Sequence, residues 1–392
     1  MPANLPNGIS YKVEIQFAGD AAFTDVTDKA VSVDVARGRS VETDEFRAGS
    51  AVIVLRNNSR EFDPLNTAGT YYGKVVPRIP VRITAGSTQI FNGYIYDWNY
   101  DYDPPNPSRD ISLVSVSCID AFSILGEQLL TSFTPTSQGS GARVTAILDR
   151  SEVSWPAGLR DIKTGSSTLG TQPVAANTNV LDYLQQVAAS EQGFLFVAGD
   201  GKLTFLGRND VVSTTVAMTF SDDGTNTKYN TFEVSYGAEL LYNRVVVNRS
   251  GGSSYTKTNA TSIGKYLTKT LDVEDLLVST DAQAENIANN LLSKYAEPEL
   301  RFSQLSTVIE ANAAAFTNVI GLEIGDTVEV KKSFKTGAPS SVTRPQIVQG
   351  LAHRITAESH TVTVNLGTAD QRNYLRLNDP VYGRLNLNLL GW

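Results

Sequence analysis

Period-two alternation over roughly the first 120 residues constrains this chain most. Tyr11-Lys12-Val13-Glu14-Ile15-Gln16-Phe17 sets an apolar residue at every second position, and Val31-Ser32-Val33-Asp34-Val35 does the same. Successive strand side chains point to opposite faces, so such a segment buries one face and wets the other. Ala51-Val52-Ile53-Val54-Leu55 is apolar without interruption, which predicts a strand buried on both faces. Ile79–Thr84 and Gln89–Trp98 flank an Ala85-Gly86-Ser87-Thr88 turn. The Pro-rich run Asp101–Pro107 interrupts the pattern, because proline removes ladder donors, and Ile111–Ile119 closes the set. Short strands between regular turn signals predict a sandwich or barrel.

The periodicity then changes. Ala121–Leu125, stopped by Gly126, reads as a short helix, and Val144, Ile147 and Leu148 fall at helical spacing. Val180, Leu181, Leu184, Val187 and Ala188 form one stripe of a helix over 179–192, with Thr178 as its cap and Gly193 at its end. Phe194–Val197 and Leu203–Leu206 around Asp200-Gly201 predict a hairpin with a type I′ turn. Beyond residue 225 strands return near Phe302–Ile309, Asp326–Val330, Pro345–Ile355 and Thr361–Leu366. Thr280-Asp281-Ala282-Gln283 fits a capping box before a helix with Ala284, Ile287, Ala288, Leu291, Leu292 and Tyr295 on one face. The fold class expected is mainly β with α/β insertions. The divisions are a β-barrel over 1–120, an α/β accessory domain over 121–225, a second β-barrel over 226–372 with a helical insert at about 255–300, and a tail over 373–392. A chain of 392 residues suits about two to four domains.

The two β regions echo each other. Gln89-Ile90-Phe91-Asn92-Gly93 matches Gln346-Ile347-Val348-Gln349-Gly350 in its Gln, Ile and Gly. Each segment follows a strand (Val81–Ile83; Val328–Val330) and precedes an alternating one. Chance likeness among β proteins is one reading. The other is a duplicated barrel, with Gly93 and Gly350 as bend glycines. Three chains with two such domains each would make a pseudo-sixfold ring able to dock on a sixfold tube.

Charge and chemistry narrow the function. A net charge of −8, with Lys331-Lys332 and Arg37-Gly38-Arg39 as the longest basic runs, argues against gripping a phosphate backbone. Cys118, the one cysteine, sits in a strand-like run and reads as a small buried hydrophobe, so no internal disulfide forms and folding in reducing cytoplasm is expected. The N-terminus lacks the basic and apolar regions of a signal peptide, and no apolar run reaches the ~18 residues of a membrane span. His353 and His360, the only histidines, fall on neighbouring strands; with no further His or Cys nearby they make no zinc site, and no Gly-x-Ser-x-Gly elbow appears. Asp101 and Asp103, an acidic pair of the types a glycosidase uses as acid and base, lie in a Pro-rich loop and read as solvated. Ser221–Asn226 lacks the ligand pattern of a calcium loop and reads as a turn between domains; Ser250–Ser254 lacks the Lys of a phosphate cradle and reads as a hairpin tip. No enzyme activity, metal or cofactor is expected. An acidic channel wall would let DNA slide past.

The segment Leu385-Asn386-Leu387-Asn388-Leu389-Leu390-Gly391-Trp392 alternates beyond the last barrel strand. It can add a strand to a neighbour's sheet, with Leu385, Leu387, Leu389 and Trp392 as docking residues, or pack on its own chain. The aromatic run Tyr94–Tyr102 suits either a core or a carbohydrate-binding face. Receptor or glycan binding is therefore the alternative function, and a cell-wall hydrolase a more distant one.

Several segments in order resemble a known family. Val33–Arg39 through Phe46–Gly49, Leu55–Asn66, Phe91–Ile95, Cys118–Phe122, Leu322–Val328 and Asp379–Gly383 are similar to the minor tail proteins, or baseplate hubs, of long-tailed phages infecting actinobacteria. The resemblance covers most of the chain. It implies a homotrimer with two tube-like barrels plus accessory domains, at the distal tail of the virion. The partners implied are the distal tail protein or tube above, the tape measure protein in the lumen, further tip or fibre proteins, and DNA in transit without specific binding. With the chain ending at Trp392, a C-terminal fibre or lytic extension is not expected.

Overall fold

The computed structural model describes residues 9–103, 112–211, 215–309 and 316–369. It is mainly β, with three buried cores. The largest core belongs to one 14-stranded sheet that runs through both alternating regions of the sequence. No closed barrel is formed among the described residues.

Two sets of six strands within that sheet share one spatial order. The first set is, in sequence, Tyr11–Ile15, Ala30–Gly38, Arg47–Arg56, Pro80–Ala85, Thr88–Asp101 and Leu113–Ile119. The second is Val216–Ser221, Thr231–Tyr236, Leu300–Val308, Thr327–Ser333, Ser341–Ile355 and His360–Thr368. In each, the neighbours run first, fourth, fifth, sixth, third, second. One direction differs: Tyr11–Ile15 is antiparallel to its neighbour, whereas Val216–Ser221 is parallel to its own. Each fifth strand carries a register shift at the same place. Pro80 faces Tyr94 and the shift lies between Ile95 and Asp97; Thr327 faces Ile347 and the shift lies between Val348 and Gly350. Asp97 is therefore the counterpart of Gly350, and Gly93 is the counterpart of Gln346. The Gln-Ile-Gly echo in the sequence is four positions out of step with the structural one.

A second correction concerns Ala51–Leu55. Ala51, Ile53 and Leu55 are buried, but Val52 is 38% exposed. The strand has one covered face only, because no layer lies over the other face among the described residues. Its apolar run reflects β-propensity as well as burial.

Between the two sets lies an α/β unit with its own core. Helices Ser140–Leu148 and Val180–Glu191 accompany a three-stranded sheet of Arg160–Ile162, Leu203–Leu206 and Phe194–Val197. The cap of the longer helix is Asn179, whose side chain accepts from Leu181 and Asp182 N–H; Gln192, at φ 57°, ends it in place of Gly193. Gly193 is needed instead for close approach, since a Cβ there would stand 2.2 Å from the Leu206 carbonyl oxygen. The expected type I′ turn is absent. Gly201 N–H donates to Ala198 O and Ala198 N–H to Lys202 O, with Gly201 at φ 85° and Asp200 at negative φ. That is a three-residue loop with a left-handed glycine, which suits the strand twist equally well.

An insert between Thr231–Tyr236 and Leu300–Val308 holds the third core. It is a sheet of Ser254–Thr258, Arg244–Arg249 and Thr270–Leu276 under the helix Asp281–Tyr295. Thr280 caps that helix through the N–H of Gln283, as the capping box predicts. Ser250–Gly252 is the tip of its hairpin.

Candidate functional site: the seam between the two strand sets

The two sets join where Ala30–Gly38 pairs antiparallel with the far half of Ser341–Ile355. Gly38 faces Gly350, and the ladder runs on through Arg37–Leu351, Ala36–Ala352, Val35–His353 and Asp34–Arg354 to Val33–Ile355. Strand 341–355 thus changes partners along its length, from 327–333 to 30–38. The change needs close backbone approach. Gly38 sits at φ 90°, and a Cβ on it would stand 2.4 Å from the Gln349 carbonyl oxygen and 2.6 Å from the Gly350 Cα. A Cβ on Gly350 would stand 2.7 Å from the Arg39 carbonyl oxygen. Gly93 lies elsewhere, opposite Val81, where a Cβ would stand 2.3 Å from the Ile119 carbonyl oxygen.

Charged groups pin the seam to the α/β unit. Arg37 is buried; its Nη1 donates to Glu323 Oε1 at 2.7 Å and to the Val197 carbonyl at 3.3 Å. Glu323 Oε2 accepts from Gly199 N–H at 2.8 Å. Asp120 Oδ2 accepts from Gly49 N–H at 2.6 Å and Oδ1 from Phe122 N–H at 2.9 Å. Burial pushes the Asp120 carboxyl up to about 7, against those two donors and Arg37. Arg39 stacks on Phe46 and Phe194, 4.3 and 4.8 Å from the ring centres, at the wall of a cleft of about 610 Å³ between the units. Desolvation lowers its guanidinium to about 10.

The histidines meet here, and both are buried rather than exposed. His353 Nδ1 lies 3.1 Å from His360 Nε2, and His360 Nδ1 lies 2.8 Å from the Tyr11 hydroxyl. Tyr11 stands on the first strand of the first set and His360 on the last strand of the second. The sheet therefore curls until these strands touch across the core. Burial lowers His353 well below the usual imidazole range and His360 to about 3, so both are neutral in the folded chain. Two neutral imidazoles and a hydroxyl form a hydrogen-bonded row with no open coordination or solvent access. No cluster of three metal-ligating side chains occurs among the described residues.

The other sequence candidates are accounted for without chemistry. Cys118 is buried, and desolvation holds its thiol protonated. Asp101 is exposed at a strand end and Asp103 half-buried in the loop beyond. Asp222 and Asp223 pair with Lys332 and Lys331, each at 2.7 Å, so the one basic pair and the supposed calcium loop neutralise each other. That loop joins Val216–Ser221 to Thr227–Lys228 within the large sheet. In the aromatic run, Trp98 and Tyr100 turn inward: Trp98 stacks near Phe62 at 6.3 Å and the Tyr100 hydroxyl donates to the Phe62 carbonyl. Tyr96 and Tyr102 are exposed. Leu385, Leu387, Leu389 and Trp392 lie outside the described residues.

Sequence reasoning missed Arg37–Glu323 and the seam itself. One signal was present: Val33-Asp34-Val35-Ala36-Arg37-Gly38 and Phe232-Glu233-Val234-Ser235-Tyr236-Gly237 match in character at every position but Arg37 and Tyr236. The ladders agree, since Val33 faces Ile53 and Phe232 faces Leu305, and these face Val116 and Val364 on the sixth strands.

No protein-family model matches the chain, and no curated protein matches it in sequence. Solved structures do match in shape. The tail protein from Neisseria meningitidis MC58 superposes with a TM-score of 0.61 at 12% identity, covering 91% of this chain and 96% of its own. The 43 kDa tail protein of prophage MuSo2 from Shewanella oneidensis gives 0.58 at 13% identity, over 92% and 99%. Prophage tail protein gp18 from Listeria monocytogenes EGD-e gives 0.53 at 12% identity, over 92% and 95%. More than nine-tenths of this chain therefore shares the fold of these solved tail proteins.

Proposed function

We propose that the chain is a structural subunit of a phage tail tip, a baseplate hub without catalytic activity of its own. The observation that carries this is a fold shared end to end with tail proteins, together with two sets of six strands in the same order within one sheet. Three copies would supply six such sets, enough for a pseudo-sixfold ring beneath a sixfold tube. The ring closes the tube, meets the distal tail protein or tube above and tip or fibre proteins below, and leaves a lumen for the tape measure protein and DNA. It forms in the host cytoplasm and ends in the virion. The motif resemblance supports an actinobacterial phage as the source.

In this reading the strand sets are tube-like barrel domains, 1–120 and 226–372, completed on assembly, with 121–225 as the accessory domain. Gly93 and Gly350 let the barrel walls bend by close backbone approach. The tail 373–392 docks on a neighbour through Leu385, Leu387, Leu389 and Trp392. Small and polar side chains on the uncovered sheet face, among them Ala36, Ser50, Ser115 and Ser117, suit a wall past which a polymer slides.

Light scattering and negative-stain microscopy of the purified chain test this. A trimeric ring with a central hole is expected, and removal of 385–392 should leave the ring while abolishing binding to a tip neighbour. A monomer that binds glycans on an array would overturn the hub in favour of a receptor-binding role, for which exposed Tyr96 and Tyr102 are the motive.

A further inference from the structure

The two strands of the seam inside the chain each have a counterpart, elsewhere in the sheet, that lacks the corresponding partner among the described residues. Ala30–Gly38 is covered on both edges, by Arg47–Arg56 and by the far half of Ser341–Ile355. Among the described residues its counterpart Thr231–Tyr236 is paired on one edge only, by Leu300–Val308. The difference shows in burial. Val35 is 3% exposed and its counterpart Val234 is 44%; Arg37 is 6% exposed and its counterpart Tyr236 is 67%. The other half of the missing seam is also present. Gly350–Ile355 is paired on both edges, but its counterpart, the stretch after the register shift in Thr88–Asp101, is paired along Asp97–Asp101 only with Leu113–Ser117 among the described residues. Among the described residues, two stretches of strand edge in one sheet are therefore left open, each with unpaired N–H and C=O groups. They are the counterparts of the two strands that lie against each other in the internal seam.

An exposed edge strand with apolar and aromatic side chains along one face is a template for pairing unless something covers it. Here Val234, Tyr236 and Tyr96 are all exposed, and no proline or lysine lies within 231–237. We infer that Thr231–Gly237 of one copy pairs antiparallel with Asp97–Asp101 of the next copy, repeating the internal seam between chains. The register follows from the internal one. Gly237 faces Asp97, as Gly38 faces Gly350; then come Tyr236 with Trp98, Ser235 with Asn99, Val234 with Tyr100 and Glu233 with Asp101. Each copy offers one edge of each kind, so the contact is head-to-tail and must close into a ring or run on as a filament. The inference rests on the trimeric-ring reading above and adds the strands and register that close it.

One pair marks the two seams as unequal. Inside the chain Asp34 faces Arg354, with 3.9 Å between Oδ1 and Nε. Between copies Glu233 would face Asp101, two carboxylates. The intermolecular seam is therefore the weaker of the two, as suits a joint made only when subunits gather.

Disulfide trapping on the full chain tests both the strands and their register. Ser235 and Asn99 are exposed, so Ser235→Cys with Asn99→Cys leaves the fold intact, and the native Cys118 is buried. Under mild oxidation the double variant should give a covalent ladder that ends at the trimer, while each single variant stays monomeric on a non-reducing gel. Ser235→Cys with Asp97→Cys, two positions out of register, should link several-fold less. A trimer by light scattering with no Ser235–Asn99 link overturns the inference and leaves the ring. Preferential linking of the shifted pair overturns the register. A chain that stays monomeric at every concentration and never links overturns both the inference and the ring.

Discussion

Replacing His360 with glutamine should change how the stability of this chain depends on pH. The row Tyr11–His360–His353 joins the first strand of one set to the last of the other, and both imidazoles are held neutral by burial. The folded His360 titrates at about 3, against 6.5 for a solvated histidine. A depressed histidine works in one direction: the unfolded chain takes up the proton first, so folding weakens as pH falls through 6.5 and the loss stops growing only below the folded value. Between about pH 7.5 and about pH 5 the cost comes to about 2 kcal/mol for His360, since one pH unit is worth about 1.4 kcal/mol. That is a large part of the ~5–15 kcal/mol that typically holds a domain folded.

Asp120 works against this trend. Its carboxyl is raised to about 7, so its burden on the folded state is full above that pH and is relieved as pH falls from 7 towards the ordinary carboxylate range. Wild-type stability alone would mix the two groups. The difference between wild type and His360→Gln removes Asp120 from the comparison, because it is present in both. Urea unfolding of each protein at several pH values between about 5 and about 7.5 gives that difference. Wild type should lead at the upper end, and its lead should shrink by about 2 kcal/mol at the lower. A lead that stays constant with pH would refute the neutral, buried histidine row.

The glycine pair and the intermolecular seam give two more expectations. Gly38→Ala should cost about 2–4 kcal/mol in urea unfolding, from its positive φ and from a Cβ driven into the Gln349 carbonyl; Gly158→Ala, with nothing within 4 Å of its Cβ, should stay within ~0.5 kcal/mol. Asp101→Lys, which sets a cation opposite Glu233 of the next copy, should shift the monomer–trimer balance in light scattering toward trimer by about 0.2–1 kcal/mol per seam; an unchanged or weaker trimer would contradict the proposed register.

Much of the fold was legible because its signals are local. Alternation marked Tyr11–Ile15 and Ala30–Gly38, helical spacing marked Val180–Glu191, and Thr280 with Gln283 marked the start of Asp281–Tyr295. The cap of Val180–Glu191 was read one residue early, as Thr178 rather than Asn179, because both side chains can accept an N–H and only the backbone decides which one does. The Gln-Ile-Gly echo pointed to a duplication but aligned Gly93 with Gly350, four positions away from the structural match. Register shifts at Ile95–Asp97 and Val348–Gly350 set the true alignment, and such shifts carry no fixed sequence mark. His353 and His360 were placed on neighbouring strands, yet nothing local gave Tyr11, some 350 residues away, as their third partner.

The sequence alone therefore determined many of the strands and helices, among them Tyr11–Ile15, Val180–Glu191 and Asp281–Tyr295, and it pointed to a likeness between the two β regions. The tertiary structure decided that the two sets share one sheet, that Gly38 and Gly350 meet at its seam, that Val52 faces outward, and that 231–236 is left open where 30–38 is closed. The reason is physical. Propensity, periodicity and capping act over a few residues. Which strand edges meet depends on the register and curvature of a whole sheet, and a single ladder such as 30–38 against 341–355 joins residues that the chain itself holds about 300 positions apart.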